Sequence, residues 1–141
     1  GKYTVQVATF RGKVVYDIEK GYDKDAKVSD ALVKAAENAH RLVIALRKQN
    51  IEAYEFHDRN ESIVTVGSFD RVGVRQLDGK FQFDPTVYKI MSIYKAQRVP
   101  INNSSQSSFQ PRALNGIPFD IQPRPAFVPK RSIGSSFLSR F

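Results

Sequence analysis

Apolar and polar residues alternate through residues 2–10 (Lys-Tyr-Thr-Val-Gln-Val-Ala-Thr-Phe), a period of two that predicts a strand. In that alternation Tyr3, Val5 and Val7 share one face, and Thr4, Gln6 and Ala8 share the other. The pattern then breaks. Residues 11–28 contain Gly12, Gly21 and the charged run Asp23-Lys24-Asp25, and read as a long loop with a short strand at 14–18. Ser29 is the expected helix N-cap, with Asp30 at the positive end of the helix dipole. From there to Lys48, apolar residues recur at 28, 32, 35, 39, 42 and 46, which is helical spacing. Ala31, Ala35, Ala36 and Ala39 are small enough to let this helix lie close against a sheet. Arg47 and Lys48 suit its C-terminus, and Asn50 suits a left-handed closing turn.

Residues 51–57 predict a second strand, 58–61 a turn and 62–69 a third strand, so the two strands form a hairpin. Asp84-Pro85 is a helix start, and Val87, Ile90, Met91 and Tyr94 mark one face of a helix ending near Arg98. Residues 99–117 are poor in apolar side chains and contain Asn102-Asn103-Ser104-Ser105-Gln106-Ser107-Ser108, which reads as a loop. Residues 119–128 predict a last strand, which Pro123 and Pro125 confine to a sheet edge. The resulting order, β-α-β-β-α-β, predicts an α+β domain of the ferredoxin-like, split-βαβ kind. Its four-stranded antiparallel sheet would carry both helices on one face. The expected domain runs over 2–128, with insertions at 11–28, 70–84 and 99–118, followed by a basic tail at 129–141.

Composition refines this picture. The 141 residues carry 22 Lys+Arg against 14 Asp+Glu, a net +8, with 41% hydrophobic residues and no Cys. That is the composition of a globular domain, and it excludes a disulfide framework, a Cys-ligated zinc and a thiol nucleophile. No apolar run approaches the ~20 residues of a membrane-spanning helix. The chain opens Gly1-Lys2 with no Met and reads as an excised piece whose targeting segment could have been removed. The charge is uneven. Residues 1–70 hold 11 basic and 11 acidic side chains, whereas 71–141 hold 11 basic and only three acidic ones, Asp78, Asp84 and Asp120. All seven prolines lie in the second half as well.

Three blocks of the first half resemble a known family. Tyr3-Thr4-Val5-Gln6-Val7-Ala8-Thr9-Phe10 is similar to the opening strand of SPOR (sporulation-related repeat) domains, hydrophobic-x-Val-Gln-x-Gly/Ala-Ser/Thr-Phe. Residues 39–54 follow the family's helix-to-strand pattern of Ala, Leu, Leu, a turn residue and Ala-Tyr. Val64-Thr65-Val66-Gly67-Ser68-Phe69 follows its third-strand Val-x-Val-Gly-x-Phe. The resemblance covers residues 2–70, about half the chain. It implies the β-α-β-β-α-β fold and a non-catalytic bacterial module of the cell envelope or periplasm that binds peptidoglycan glycan strands stripped of their stem peptides. Carried over by position, it implies that Gln6 and Thr9 of the first strand and Thr65 of the third approach the glycan. The sequence departs from the family at 11–28, at 61–63 (Glu61, Ser62 and Ile63 where an aromatic or Arg is common), at 70–84 and at 99–118.

The helix-free face of such a sheet is the natural binding surface. With Ile51 and Ala53 toward the helices, Glu52, Tyr54 and Phe56 point outward beside Ile63 and Thr65. Exposed rings there can stack on sugars as they do on bases, worth roughly 1–3 kcal/mol each. The glycan-site candidates are therefore Gln6, Thr9, Tyr54, Phe56 and Thr65. Two alternatives stay open. One is single-stranded nucleic acid bound on an RNA-recognition-like sheet, assisted by a basic surface of Arg112, Arg124, Lys130 and Arg131 interleaved with phenylalanines. The other is a structural or protein-interaction domain whose own insertions cover the sheet. His57-Asp58 alone supplies no nucleophile, and Asp17, Glu19, Asp23 and Asp25 lack the glycine and final glutamate of a calcium loop. The expected protein is no enzyme and needs no cofactor or metal.

Overall fold

A computed structural model describes residues 1–12, 23–103 and 105–129, the side chains of 23–29 excepted. The main sheet is built from β1 (Tyr3–Arg11), β2 (Ala53–His57), β3 (Glu61–Phe69) and a late strand, β10 (Arg124–Phe127). Its order is β10-β1-β3-β2, and every neighbouring pair is antiparallel. Two helices complete it, α1 (Asp23–Lys48) and α2 (Pro85–Tyr94), giving a mixed α+β architecture. Between α2 and β10 the chain forms β6 (Gln97–Pro100), β7 (Ser107–Gln110), β8 (Ala113–Leu114) and β9 (Ile117–Pro118). Ahead of α2 it forms β4 (Gly73–Arg75) and β5 (Phe81–Phe83). These six short strands pair as three separate two-stranded hairpins.

The core follows the apolar spacing. Ala35, Ala39, Leu42, Val43 and Leu46 of α1 pack with Val5, Val7, Ala8 and Phe10 of β1, Ala53 of β2 and Val64 and Val66 of β3. Alanines on the helix let it approach the sheet closely, so the β-branched residues of the strands fill the interface. Val87 and Tyr94 of α2 join the same cluster, and the Tyr94 and Phe119 rings sit 5.1 Å apart. Asn50 closes α1 at φ 62°, the left-handed conformation its position predicts, and the Ile51 amide bonds back to the Leu46 carbonyl.

Several expectations are corrected. α1 begins at Asp23, six residues before Ser29, because no Gly or Pro interrupts 23–48 and Val28 already continues the apolar spacing. Of the expected loop 11–28, Arg11 belongs to β1 and 23–28 to α1, and the strand expected at 14–18 lies outside the described residues. α2 stops at Tyr94 and does not reach Arg98. Lys95 is extended, the Ala96 amide bonds to the Ile121 carbonyl, and Gln97–Pro100 pairs with Ser107–Gln110. The expected loop 99–117 thus contains much of two hairpins, and 70–84 contains a third. The final strand covers only Arg124–Phe127, at the edge its prolines dictate.

The most consequential correction concerns β1. Its register with β3 runs Gln6↔Thr65 and then Ala8↔Val64, so Val7 is an extra residue, a bulge. The bulge reverses the parity of the strand. Ala8 joins Val5, Val7 and Phe10 in the core, and Thr9 moves onto the helix-free face with Gln6. A second irregularity separates Val5↔Val66 from Tyr3↔Phe69, where Gly67 of β3 adopts φ 79°. That left-handed conformation suits glycine, and a Cβ there would lie 2.6 Å from the Phe69 ring.

Candidate functional site

The helix-free face is assembled by register. Gln6 of β1 lies opposite Thr65 of β3, which lies opposite Tyr54 of β2; Ile63 lies between Thr9 and Phe56. On the other side of β1, Arg124 pairs with Gln6 and Ala126 with Thr4. All five glycan-site candidates therefore share one face. The chain leaves β10 at Val128, whose amide bonds to the Lys2 carbonyl, and Pro129 then borders the same face.

Three hollows adjoin one another along this face. The first, about 380 Å³, is bounded by Thr4, Tyr54, Phe56, Thr65, Gly67 and Pro129 among others. The second, about 300 Å³, shares Phe56 and Pro129 with the first and adds Gln6, Ile63 and Arg124. The third, about 480 Å³, shares Arg124 with the second and is lined by Thr9, Arg11, Asp120 and Gln122. Together they describe an interrupted groove rather than one pit.

The polar groups of the groove are of two kinds. Gln6 Nε2 donates to Thr9 Oγ1 at 2.8 Å, and the Thr9 hydroxyl donates to Asp120 Oδ2 at 2.9 Å. The Asp120 amide in turn bonds to the carbonyl of Val7, the bulged residue. One local irregularity thus aligns the strand side chains and anchors the segment that caps them. Thr65 is different. Its side chain is 0% exposed, and its hydroxyl finds no hydrogen-bond partner among the described residues. An unmade bond of this kind costs about 1–3 kcal/mol, so such groups call for an explanation.

The aromatic side of the groove opens to solvent. Tyr54 is 36% exposed, with the Arg47 guanidinium 6.0 Å from its ring centre and Arg47 Nε donating to the Ala53 carbonyl. Partial burial raises the Tyr54 pKa, helped by hydrogen bonding to Glu52 and by its charge, while the Arg47 charge opposes the shift. The phenol is therefore neutral and able to donate. Phe56 is half-buried beside it.

The remaining candidates are placed elsewhere. Arg112 is half-buried and donates Nε to the Lys95 carbonyl at 3.0 Å, tying the β8–β9 hairpin to the end of α2. It is a positioning group, not part of a free basic face. Arg124 does face solvent, on the groove; Lys130 and Arg131 lie outside the described residues. Asp58 serves its turn, its Oδ1 accepting from the Asn60 and Glu61 amides at 2.8 Å, so the adjacent His57 looks elsewhere. His57 Nδ1 contacts Ser62 Oγ at 2.6 Å and its Nε2 lies 3.7 Å from Glu55, which also pairs with His40 at 2.8 Å. Serine, histidine and carboxylate do meet here. Ser62, however, is only 3% exposed and lies opposite Phe10 in the sheet, so its hydroxyl presents no approach to a substrate carbonyl.

Two residues of the groove escape a reading of the sequence. Asp120 is 111 positions from Thr9 and no local motif marks it. Arg11 looks like the first residue of a loop until the bulge is known. Among the described residues no group of three or more His, Asp or Glu is arranged to hold a metal ion, and no helix is long and apolar enough to cross a membrane. No protein-family model matches the sequence, no curated protein is significantly similar to it, and no solved structure matches its fold.

Proposed function

We propose that this protein is a non-catalytic binding module that takes peptidoglycan glycan strands along the groove of its helix-free face, and hence works in the bacterial cell envelope. The observation that carries the reading is the row of three adjoining hollows joined by Phe56, Pro129 and Arg124. A row suits a chain-like ligand, where a single deep pit would suit a small molecule. The composition of the row suits sugars. Tyr54 and Phe56 offer ring faces for the apolar sides of pyranoses, and Gln6, Thr9 and Asp120 offer hydrogen bonds at their edges.

The strand order β10-β1-β3-β2 supports the underlying plan, a ferredoxin-like split βαβ, with the three hairpins as additions to it. The SPOR-like residues Gln6, Thr9 and Thr65 fall on one face of that plan. Nucleic acid fits less well. Asp58 and Glu61 border the second hollow, Glu55 the first and Asp120 the third, a poor setting for a ligand whose affinity comes mainly from neutralised phosphates. The covered-face alternative would need the late segments to fill the groove. Among the described late residues, Asp120, Gln122, Val128, Pro129 and the edge strand border the groove and leave its hollows open.

Purified sacculi, before and after amidase removal of stem peptides, test the proposal in a pull-down with single-stranded DNA as control. Binding is expected to the stripped glycan, and Tyr54→Ala is expected to weaken it about 5- to 150-fold, the range for losing one stacked ring. Failure to sediment with sacculi in either state refutes the reading.

A further inference from the structure

The third hollow has chemistry that the other two lack. Arg11 and Arg124 enter it from neighbouring strands, with the Gln122 amide and the Thr9 hydroxyl beside them. Among the described residues neither guanidinium has an ion-pair partner or a hydrogen-bond acceptor for its side chain. Glu61 lies opposite Arg11 in the β1–β3 register and Asp120 shares the hollow with both arginines, yet neither carboxylate forms an ion pair with them. Asp120 is otherwise engaged, since its Oδ2 accepts the Thr9 hydroxyl and its amide bonds to Val7. Two planar guanidiniums flanking one open hollow of about 480 Å³ match a carboxylate, which each can grip through paired N–H groups. The Asp120 carboxylate makes the hollow selective. It repels a second negative charge and retains acceptor capacity for a neutral donor, a hydroxyl or an amide N–H, next to the bound acid.

We propose that this hollow is an acid-binding subsite, in which Arg11 and Arg124 hold the carboxylate of an acidic sugar while Asp120 accepts from a hydroxyl or amide N–H of the same unit. The inference rests on the glycan reading for the identity of the polymer. It adds that the polymer is recognised through its acidic units rather than through its neutral ones. A polyphosphate backbone would bring its charges too close together for Asp120 to tolerate. The subsite also gives direction to the groove, because the aromatic end is 54–56 and the cationic end is 11 and 124. A strand can then bind in one polarity, with an acidic unit docked at the arginines.

Two measurements on the full chain separate this proposal from the one it rests on. In the first, amidase-stripped glycan is compared with the same glycan after its carboxylates have been reduced to primary alcohols. Wild-type protein is expected to bind the intact glycan about tenfold more tightly, a difference of about 1.4 kcal/mol. Arg11→Gln and Arg124→Gln together are expected to abolish that preference, so that the double variant binds the intact and the reduced glycan alike. Equal binding of both glycans by the wild type overturns the subsite and leaves the groove reading standing. In the second, free glucuronate, with glucose as control, is titrated while side-chain NMR signals of Arg11, Arg124 and Gln122 are followed. Saturable shifts with glucuronate alone support the subsite, even if no polymer binds and the glycan reading falls. Absence of saturable shifts overturns it as well. Both arginines are exposed, so circular dichroism of the double variant is expected to match the wild type.

Discussion

Thr65→Val is the sharpest probe of the groove. Valine has nearly the shape of threonine, so the substitution removes a hydroxyl without opening a cavity or changing strand preference. At most buried positions that loses a hydrogen bond and destabilises. At position 65 the hydroxyl is fully buried and unpartnered, so the folded state carries its desolvation with nothing to offset it. Removing it should recover about 1–3 kcal/mol. Unfolding entropy of about 2.1 cal/mol/K per residue gives roughly 0.3 kcal/mol/K over a chain of this size, so the gain corresponds to a rise in Tm of about 3–10 °C. Differential scanning calorimetry measures this directly, with Thr65→Ser, which keeps the hydroxyl and loses the methyl, as the control that should fall. The same Thr65→Val protein should bind stripped glycan as tightly as the wild type, because a hydroxyl with no exposed surface does not reach a ligand. A Thr65→Val protein that melts below the wild type refutes the reasoning, because the hydroxyl is then satisfied within the protein.

Three further outcomes follow from the geometry. Gly67→Ala should lose about 1–3 kcal/mol in urea unfolding, since an L-residue at φ 79° is strained and its Cβ would meet the Phe69 ring at 2.6 Å. Thr9→Val should lose about 1–3 kcal/mol by stranding both Gln6 Nε2 and Asp120 Oδ2, and Thr9→Ser should restore most of it. Burial raises the pKa of Tyr94, so the folded state holds this proton more tightly than the unfolded chain. Its stabilising contribution is therefore complete below about pH 10 and declines as pH rises through the folded value. Urea midpoints at pH 9 and pH 11 should show the fall, and Tyr94→Phe should reduce it.

What the sequence discloses and what it hides have identifiable causes here. The helix face at 35, 39, 42 and 46, the left-handed Asn50 and the hairpin around 58–61 are local, and each is correctly legible because neighbouring residues determine it. The edge position of the last strand is legible for a similar reason, since Pro125 cannot donate to a ladder on both sides. The parity of β1 is not. Nothing in Val-Gln-Val-Ala-Thr-Phe marks Val7 as the extra residue, because the bulge is stabilised from outside by the Asp120 amide. One extra residue therefore puts Ala8 in the core, on the face opposite to the one alternation predicts. Strict alternation places Gln6 and Thr9 on opposite faces, and the bulge at Val7 brings them together. The hairpins at 97–110 and 113–118 were hidden because their strands are short and polar. Their pairing lies in register, not in periodicity.

The pairing of β10 with β1 has a mechanical consequence. Tyr3 lies opposite Phe127 and Gln6 opposite Arg124, so the two ends of the described chain emerge side by side at one end of the pair. Tension applied between Lys2 and Val128 would peel β10 away one rung at a time, instead of shearing all its rungs together. Strands loaded in that way yield to small forces. Arg124, at the far end of β10, would be the last part of the strand to let go, and with it would go one wall of the groove. On the glycan reading proposed above, a module tethered at both ends would therefore hold its ligand while slack and release it under strain.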